Sequence, residues 1–479
     1  MPFKELLTPN PNGAASLLKR RSFYIPIILA ILAVAFFAVP AIVRAADPSG
    51  GDTLAADPTA AVNMAWTLIA GFLVWFMQPG FAFLGSGLIR KKNTVNYWTK
   101  SFMDFCIASL GFWAFGFALM FGGSQLFPGL DMGNSFLGYS GFFLSGESYD
   151  VSTMMFWFFQ MVFAATACTI VAGAVAERMK ITAYLAYSFL IGALIYPIYG
   201  HWVWGGGWLS TISIGGATGV IDFAGSGVVH MVGGLAALIG AAMVGPRIGK
   251  FTKDGKPNII KGHSVPYVVI GTFILFFGWF GFNAGSTVAA TELRISVITV
   301  NTFLSAATAA VVALYWQFAR TGKADIVAAC NGCLAGLVAI TAPCAFVPPW
   351  AAVVIGIVAV PFMFGTAHFV ERVLKVDDVV GAVPVHFGAG FWGILAVGIF
   401  ADGTYGVSGF LNGNWGQFVL QLIDIGALIA WVVPTVFIAF WLIKKTIGLR
   451  VSREEELKGL DIPEHGMEAY PEEEPVSEA

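Results

Sequence analysis

Two histidines, His230 and His386, stand inside apolar runs that are otherwise nearly free of charge. An ionisable side chain in such a run is costly and faces a bundle interior or a pathway rather than lipid. Imidazole can donate one hydrogen bond and accept another, and it can pass a proton between its two nitrogens. The pair therefore suits hydrogen bonding to, or proton exchange with, a small guest. Of the other histidines, His201, His263 and His465 fall in segments read as loops or tail, and His368 lies near the end of an apolar run. A single buried histidine is as readily explained by one structural hydrogen bond, but these two are related. His230 follows Asp222 by eight residues, and His386 follows Asp377 by nine. If each aspartate opens a helix, a rise of about 1.5 Å per residue puts each imidazole about 12–14 Å deep. That is near the middle of a hydrocarbon layer about 30 Å thick.

The elements that position them must be membrane-spanning helices. The chain has 479 residues, 57% of them hydrophobic and 11% charged, against about a quarter charged in soluble domains. Soluble and disordered classes are thereby excluded. Apolar runs of roughly 20 residues or more fit helices that cross a bilayer and are too long for barrel strands. Spans are predicted at 62–88, 101–123, 152–176, 181–200, 222–245, 265–288, 296–319, 325–342, 349–371, 380–401 and 417–443. Lys and Arg cluster after every odd-numbered span, and the intervening loops hold Arg294 alone. The positive-inside rule then places the N-terminus outside and the C-terminus in the cytoplasm. Spans 5 and 10, which carry the histidines, are the fifth members of two successive sets of five. The predicted fold is an all-α membrane protein of eleven transmembrane helices, an inverted 5+5 repeat plus one additional helix. Topology and the histidines alone carry the repeat, for no convincing residue-level similarity between the halves is evident.

Basic Lys19-Arg20-Arg21, an apolar stretch to Val43 and the small Ala45 and Ala46 read as a signal peptide over 1–46, with an uncleaved anchor helix as the alternative. Residues 47–446 form the transmembrane domain, and 447–479 a cytoplasmic regulatory tail with a disordered acidic end. The five cysteines read as buried thiols, and Cys330-x-x-Cys333 lacks the context of a redox motif. His368-x-x-Glu371 offers two potential ligands at one helix end, too few for a metal centre. No cofactor, metal, nucleic-acid partner or enzymatic chemistry is expected.

The segments approaching the histidines are rich in aromatic and glycine residues: His201-Trp-Val-Trp204-Gly-Gly-Gly207, Phe159-Gln-Met-Val-Phe163 and Gly278-Trp-Phe-Gly-Phe282-Asn-Ala-Gly-Ser286. Aromatic faces attract cations, more strongly when desolvated. Trp, two Phe and a Ser hydroxyl would cage a small cation shedding water, although aromatics also gather at membrane interfaces for other reasons.

With these residues in view, the chain resembles the ammonium transporter/methylammonium permease/Rhesus family, on its bacterial Amt side. The resemblance is carried by PGFAFLGSGLIRKKN (79–93), FQMVFAATACTIVAGAVAER (159–178), GHWVWGGGWL (200–209), DFAGSGVVH (222–230), GWFGFNAGS (278–286), VDDVVGAVPVHFGAGFWG (376–393) and GLRVSREEELKGLDIPEHGMEAY (448–470). It implies a homotrimer in the cytoplasmic membrane, each subunit with its own pore. Trp204, Phe163 and Ser286 match an outer ammonium-recruiting site with Phe159 beside it. Phe163 and Phe282 match a stacked gate, and His230 and His386 the paired pore histidines. Asp222 matches an acidic residue behind the outer site, where helix capping favours a structural and electrostatic role. A PII-type signalling protein is the implied partner on the cytoplasmic face. Pro384, where many bacterial members have glycine, and Gly381, where some relatives have an acid, depart from the pattern. The implied activity is passage of ammonium or ammonia for nitrogen uptake. The alternative is an ammonium sensor acting through a cytoplasmic partner, and a Rhesus-like neutral-gas channel fits the tail and the Trp204 motif less well.

Overall fold

The computed structural model describes residues 45–471. The expected signal peptide, apart from its last two residues, and the acidic end of the tail lie outside them. Among the described residues, ten helices are long and apolar enough to cross a bilayer. They are α1 (Ala60–Leu88), α2 (Lys91–Phe121), α3 (Val151–Val175), α4 (Ile181–Thr211), α5 (Ser226–Val244), α6 (Val265–Thr287), α7 (Ile295–Thr321), α9 (Pro349–Val373), α10 (Val383–Phe400) and α11 (Trp415–Thr446). Between α7 and α9 lies α8 (Ile326–Thr341), 16 residues long. At about 24 Å it falls short of the hydrocarbon thickness, and almost every residue from Ala328 onward is buried.

The helices occupy the predicted spans, with two differences that matter. Helix α4, predicted to end at residue 200, runs on to Thr211, so His201 and Trp204 are helical. Helix α2 begins ten residues before its predicted start, so Asn96 and Lys100 are helical and buried rather than part of a polar loop. Helix α3 is the most enclosed element, and it brings Phe159, Phe163 and Thr169 to the centre. Large apolar side chains such as Phe102, Phe273, Phe277, Tyr315 and Phe437 point outward. An apolar periphery of this extent belongs in lipid, and the protein is a multi-pass membrane protein.

Charged residues knit the helix ends together at one end of the bundle. Arg247, from the loop after α5, makes a bidentate pair with Asp377 before α10, at 2.8 and 3.0 Å, and lies 3.5 Å from Glu177 after α3. Glu177 also binds Arg90 after α1. Arg178 donates to the carbonyls of Ala174, Ala176, Gly245 and Asp377. This basic end also receives the tail, which is docked rather than free. A short helix, α12 (Arg453–Lys458), opens with a capping box on Ser452. Glu456 accepts from the Ile248 N–H and from Arg450, Asp461 from the Asn96 N–H, and Glu464 from the Asn96 amide. Tyr470 meets His263 at 2.9 Å.

Candidate functional site

Helix α5 starts at the end opposite the basic one. The Asp222 carboxylate accepts four backbone N–H groups, from Gly225 and Ser226 on one oxygen and Gly227 and Val228 on the other, at 2.8–2.9 Å. Those bonds use all four of its acceptor positions. Gly225 takes φ +112°, a conformation closed to other residues at little cost. The chain then enters a π-helical turn, Ser226–Met231, which carries His230. Such turns are frequent at functional sites.

Helix α10 repeats this from the basic end. Asp378 accepts from the N–H groups of Ala382 and Val383 at 3.1 and 2.7 Å, Gly381 takes φ +81°, and the π-helical turn Val383–Gly388 carries His386. Asp222, Gly225, Val229, His230 and Gly234 thus recur as Asp378, Gly381, Val385, His386 and Gly390, at the 156-residue separation of the two histidines. Asp377, expected to open α10, is instead the ion-pair partner of Arg247. A residue-level likeness between the halves exists after all, confined to these turns. The last glycine pair sets the crossing: a Cβ on Gly234 would collide with the Phe387 backbone, and one on Gly390 with the Ser226 carbonyl. Pro384 falls in the first turn of α10, where its missing N–H costs no bond, so it does not displace the histidine.

Entering from opposite ends, the turns bring the imidazoles together, with Nδ1 to Nδ1 at 3.2 Å. One nitrogen must carry the proton and the other accept it. His230 packs against two neighbouring aromatic rings, 5.0 Å from Trp279 and 5.3 Å from Phe282, each tilted by 22°. From Phe282 the rings continue to Phe163 at 4.2 Å, and from Phe163 to Phe159 at 4.8 Å and to the half-buried Trp204 at 6.3 Å. On the other side of the pair, Phe81 stands 6.4 Å from His386. The result is a continuous column: Trp204, Phe163, Phe282, His230, His386, Phe81. Trp204 donates its indole N–H to the Asp222 carbonyl at 2.6 Å, which fixes the ring over the start of α5. Ser286 joins only through Phe282, donating its hydroxyl to that residue's carbonyl at 2.8 Å and keeping its lone pairs for a donor. His230 Nε2 is buried and has no hydrogen-bond partner among the described residues, so it can bond a guest in the column.

Three residues were missed in the sequence. Trp279 covers His230 and is anchored to Thr341 at 2.8 Å; its position three before Phe282 on one helix face was the available signal. Phe81 and Thr169 line a cavity of about 30 Å³ with His386, and nothing in their local sequence marks them. His201, read as a loop residue, lies within α4, with both ring nitrogens against the carbonyls of Met120 and Asn134 at 2.8 and 2.7 Å. Glu371 of the weak His368 pair is bound to Lys250.

The family model described as Ammonium Transporter Family matches residues 65–470. Ammonium transporter Amt2 of Archaeoglobus fulgidus is 53% identical over 438 residues, covering 89% of this chain and 92% of that relative. Ammonium transporter 1 member 3 of Solanum lycopersicum is 37% identical, over 87% of this chain and 94% of its own length. Among solved structures, one called Sensor Amt Protein superposes with a TM-score of 0.78 at 36% identity, covering 85% of this chain and 99% of that one. Candida albicans Mep2 gives a TM-score of 0.73 at 31% identity, covering 82% and 87%. This chain belongs to the ammonium transporter family.

Proposed function

We propose that this protein transports ammonium across the cytoplasmic membrane. The observation that carries the reading is the unbroken column of rings from Trp204 to the paired histidines. Trp204, Phe163, Ser286 and Phe159 recruit the cation, by aromatic faces and by the free lone pairs of Ser286. Phe163 and Phe282, in contact, form the gate at which ammonium gives up its proton. Ammonia then passes His230 and His386, whose nitrogens offer it hydrogen bonds in turn, while the proton follows separately through the imidazoles, so that charge crosses. Selectivity follows from charge: a bare ion is penalised in an apolar channel, and potassium has no proton to shed. Asp222 acts structurally and electrostatically, for its acceptor positions are filled.

The wider arrangement is part of the same proposal. Eleven spanning helices, with the repeated Asp–Gly–His turns at the start of α5 and α10, favour an inverted five-plus-five architecture with the N-terminus outside. The basic end and docked tail would then be cytoplasmic, open to a PII-type protein; the resemblance extends to a homotrimer, and the basic, apolar and small-residue pattern of 1–46 to a signal peptide. Ammonium and potassium pulses on the protein in solid-supported membranes test the core claim. An ammonium-specific current, lost in His230→Ala, is expected; equal potassium current in the unsubstituted protein would refute selectivity. The docked tail gives specific support to a second reading, an ammonium sensor. Tight ammonium binding without any ammonium flux would favour it.

A further inference from the structure

Asp104 lies in α2, fully buried, and neither the ring column nor the caps give it a task. Its Oδ2 accepts from the Tyr184 hydroxyl at 2.5 Å, and its Oδ1 from Thr169 Oγ1 at 3.0 Å. Among the described residues, no Lys, Arg or His nitrogen lies within 4.0 Å of this carboxyl. Lys100, one turn earlier, is turned away to Asn96 Oδ1 at 2.8 Å and the Met179 carbonyl at 2.6 Å. The two hydroxyl donors hold the carboxylate in its ionised form, and the lack of a counter-ion in apolar surroundings makes it a ready acceptor of one proton.

Thr169 connects this carboxyl to the pore. It lines the cavity of about 30 Å³ that also holds His386, Trp279, Tyr97 and Asn331, room for about two water-sized molecules. Its hydroxyl has one proton and three acceptors at 3.0 Å: Asp104 Oδ1, Gln78 Oε1 and the Ala165 carbonyl. With Asp104 ionised, that proton points to Oδ1. With Asp104 protonated, the carboxyl donates to Thr169 Oγ1, and the threonine proton turns to Gln78 or Ala165. Both states are satisfied without displacing a heavy atom.

We propose that Asp104 is a proton-accepting residue of the pore, reached from the cavity below the histidine pair through Thr169. The proposal rests on the ammonium reading above. Ammonium loses a proton and becomes ammonia, and the imidazole pair hands the proton to the cavity. Thr169 Oγ1 takes it up as the threonine's own proton passes to Asp104 Oδ1. The products are ammonia, an intact hydroxyl and a neutral carboxyl, with no electron transferred. Beyond Asp104, the same face of α2 carries Lys100 and Asn96 at intervals of four. Asn96 contacts Glu464 and His465 of the tail, so the carboxyl sits at the inner end of a polar column leading to the basic end.

Infrared difference spectroscopy on the reconstituted full chain, ammonium against potassium, reads this site directly. The unsubstituted protein is expected to gain a protonated-carboxyl C=O band with ammonium only. Asp104→Asn should lose that band. Thr169→Val, nearly isosteric, should lose it with the carboxyl still present, while Asp104→Glu restores it. A band that persists in Asp104→Asn or in Thr169→Val overturns the proposal, as does an ammonium current in the unsubstituted protein with no such band. Ammonium flux without any ammonium-specific current also overturns the proposal, and absence of any ammonium flux in the unsubstituted protein sinks the transport reading instead.

Discussion

Replacing Asp222 by asparagine is expected to unseat the start of α5 rather than to empty a cation site. The carboxylate serves four buried N–H groups, two on each oxygen. An amide keeps one oxygen and sets an NH₂ where the other stood, so two of the four donors face a donor. Each buried donor left unpaired costs about 1–3 kcal/mol, which puts the substitution at about 2–6 kcal/mol. Loss of a negative charge at a helix N-terminus adds up to about 1 kcal/mol. The side chain is fully buried, so solvent does not screen these terms. Thermal unfolding in detergent, followed by tryptophan fluorescence with and without ammonium, measures the effect. The apparent melting temperature should fall by several degrees in both conditions, while the folded fraction keeps its half-saturating ammonium concentration. An Asp222→Asn protein that melts like the unsubstituted one, but needs far more ammonium for half-maximal current, would refute the capping argument.

Two further outcomes follow from the same geometry. Gly225→Ala should be markedly worse than Gly381→Ala in thermal stability and ammonium current. Both have positive φ, but a Cβ at 225 would meet Val229 at 2.7 Å and Trp204 at 3.2 Å, whereas at 381 its nearest neighbours are 3.8 Å away. Equal effects would mean that backbone strain alone, about 1–2 kcal/mol, governs both sites. Docking of the tail should weaken on acidification. Burial holds the His465 imidazole below its usual value, so it binds protons more readily when undocked. Its contribution to docking is therefore present above about pH 6.5 and is lost as pH falls. Neutral His465 also accepts from the Asn96 amide, a contact that protonation turns into donor against donor. Burial raises the Asp461 carboxyl and opposes this trend only as the carboxylate range is approached. Limited proteolysis of residues 461–471 across pH reads it, and His465→Ala should flatten the profile.

The histidines were legible because an ionisable group in an apolar run has no inexpensive explanation. The aromatic segments could be read as a set, but not as a column, since which rings touch depends on how α3, α4 and α6 pack. Asp378 was overlooked in favour of its neighbour because both are acidic; only the Arg247 contact separates them. The repeated turn was present as residues, yet five matches spread over two segments carry little weight until both glycines are found with positive φ. Asn96, Lys100 and Asp104 share one helical face, but a span placed to begin at 101 left the first two in solvent. Lysine near a helix end ordinarily reaches for water; here the Met179 carbonyl and Asn96 hold it inside.

By itself the sequence determined the class of the molecule, the approximate positions of its helices, the two histidines and the acid, Asp222, that caps the first of the helices carrying them. These follow from local hydropathy and from the chemistry of single residues, which need no knowledge of neighbours in space. Tertiary structure alone decided that His230 and His386 meet nitrogen to nitrogen and that Trp279 covers the first of them. It also decided that Thr169 links the cavity to Asp104 and that the tail docks at the basic end. Each of these depends on contacts between residues tens to hundreds of positions apart, where packing of whole helices rather than any local pattern fixes the distance.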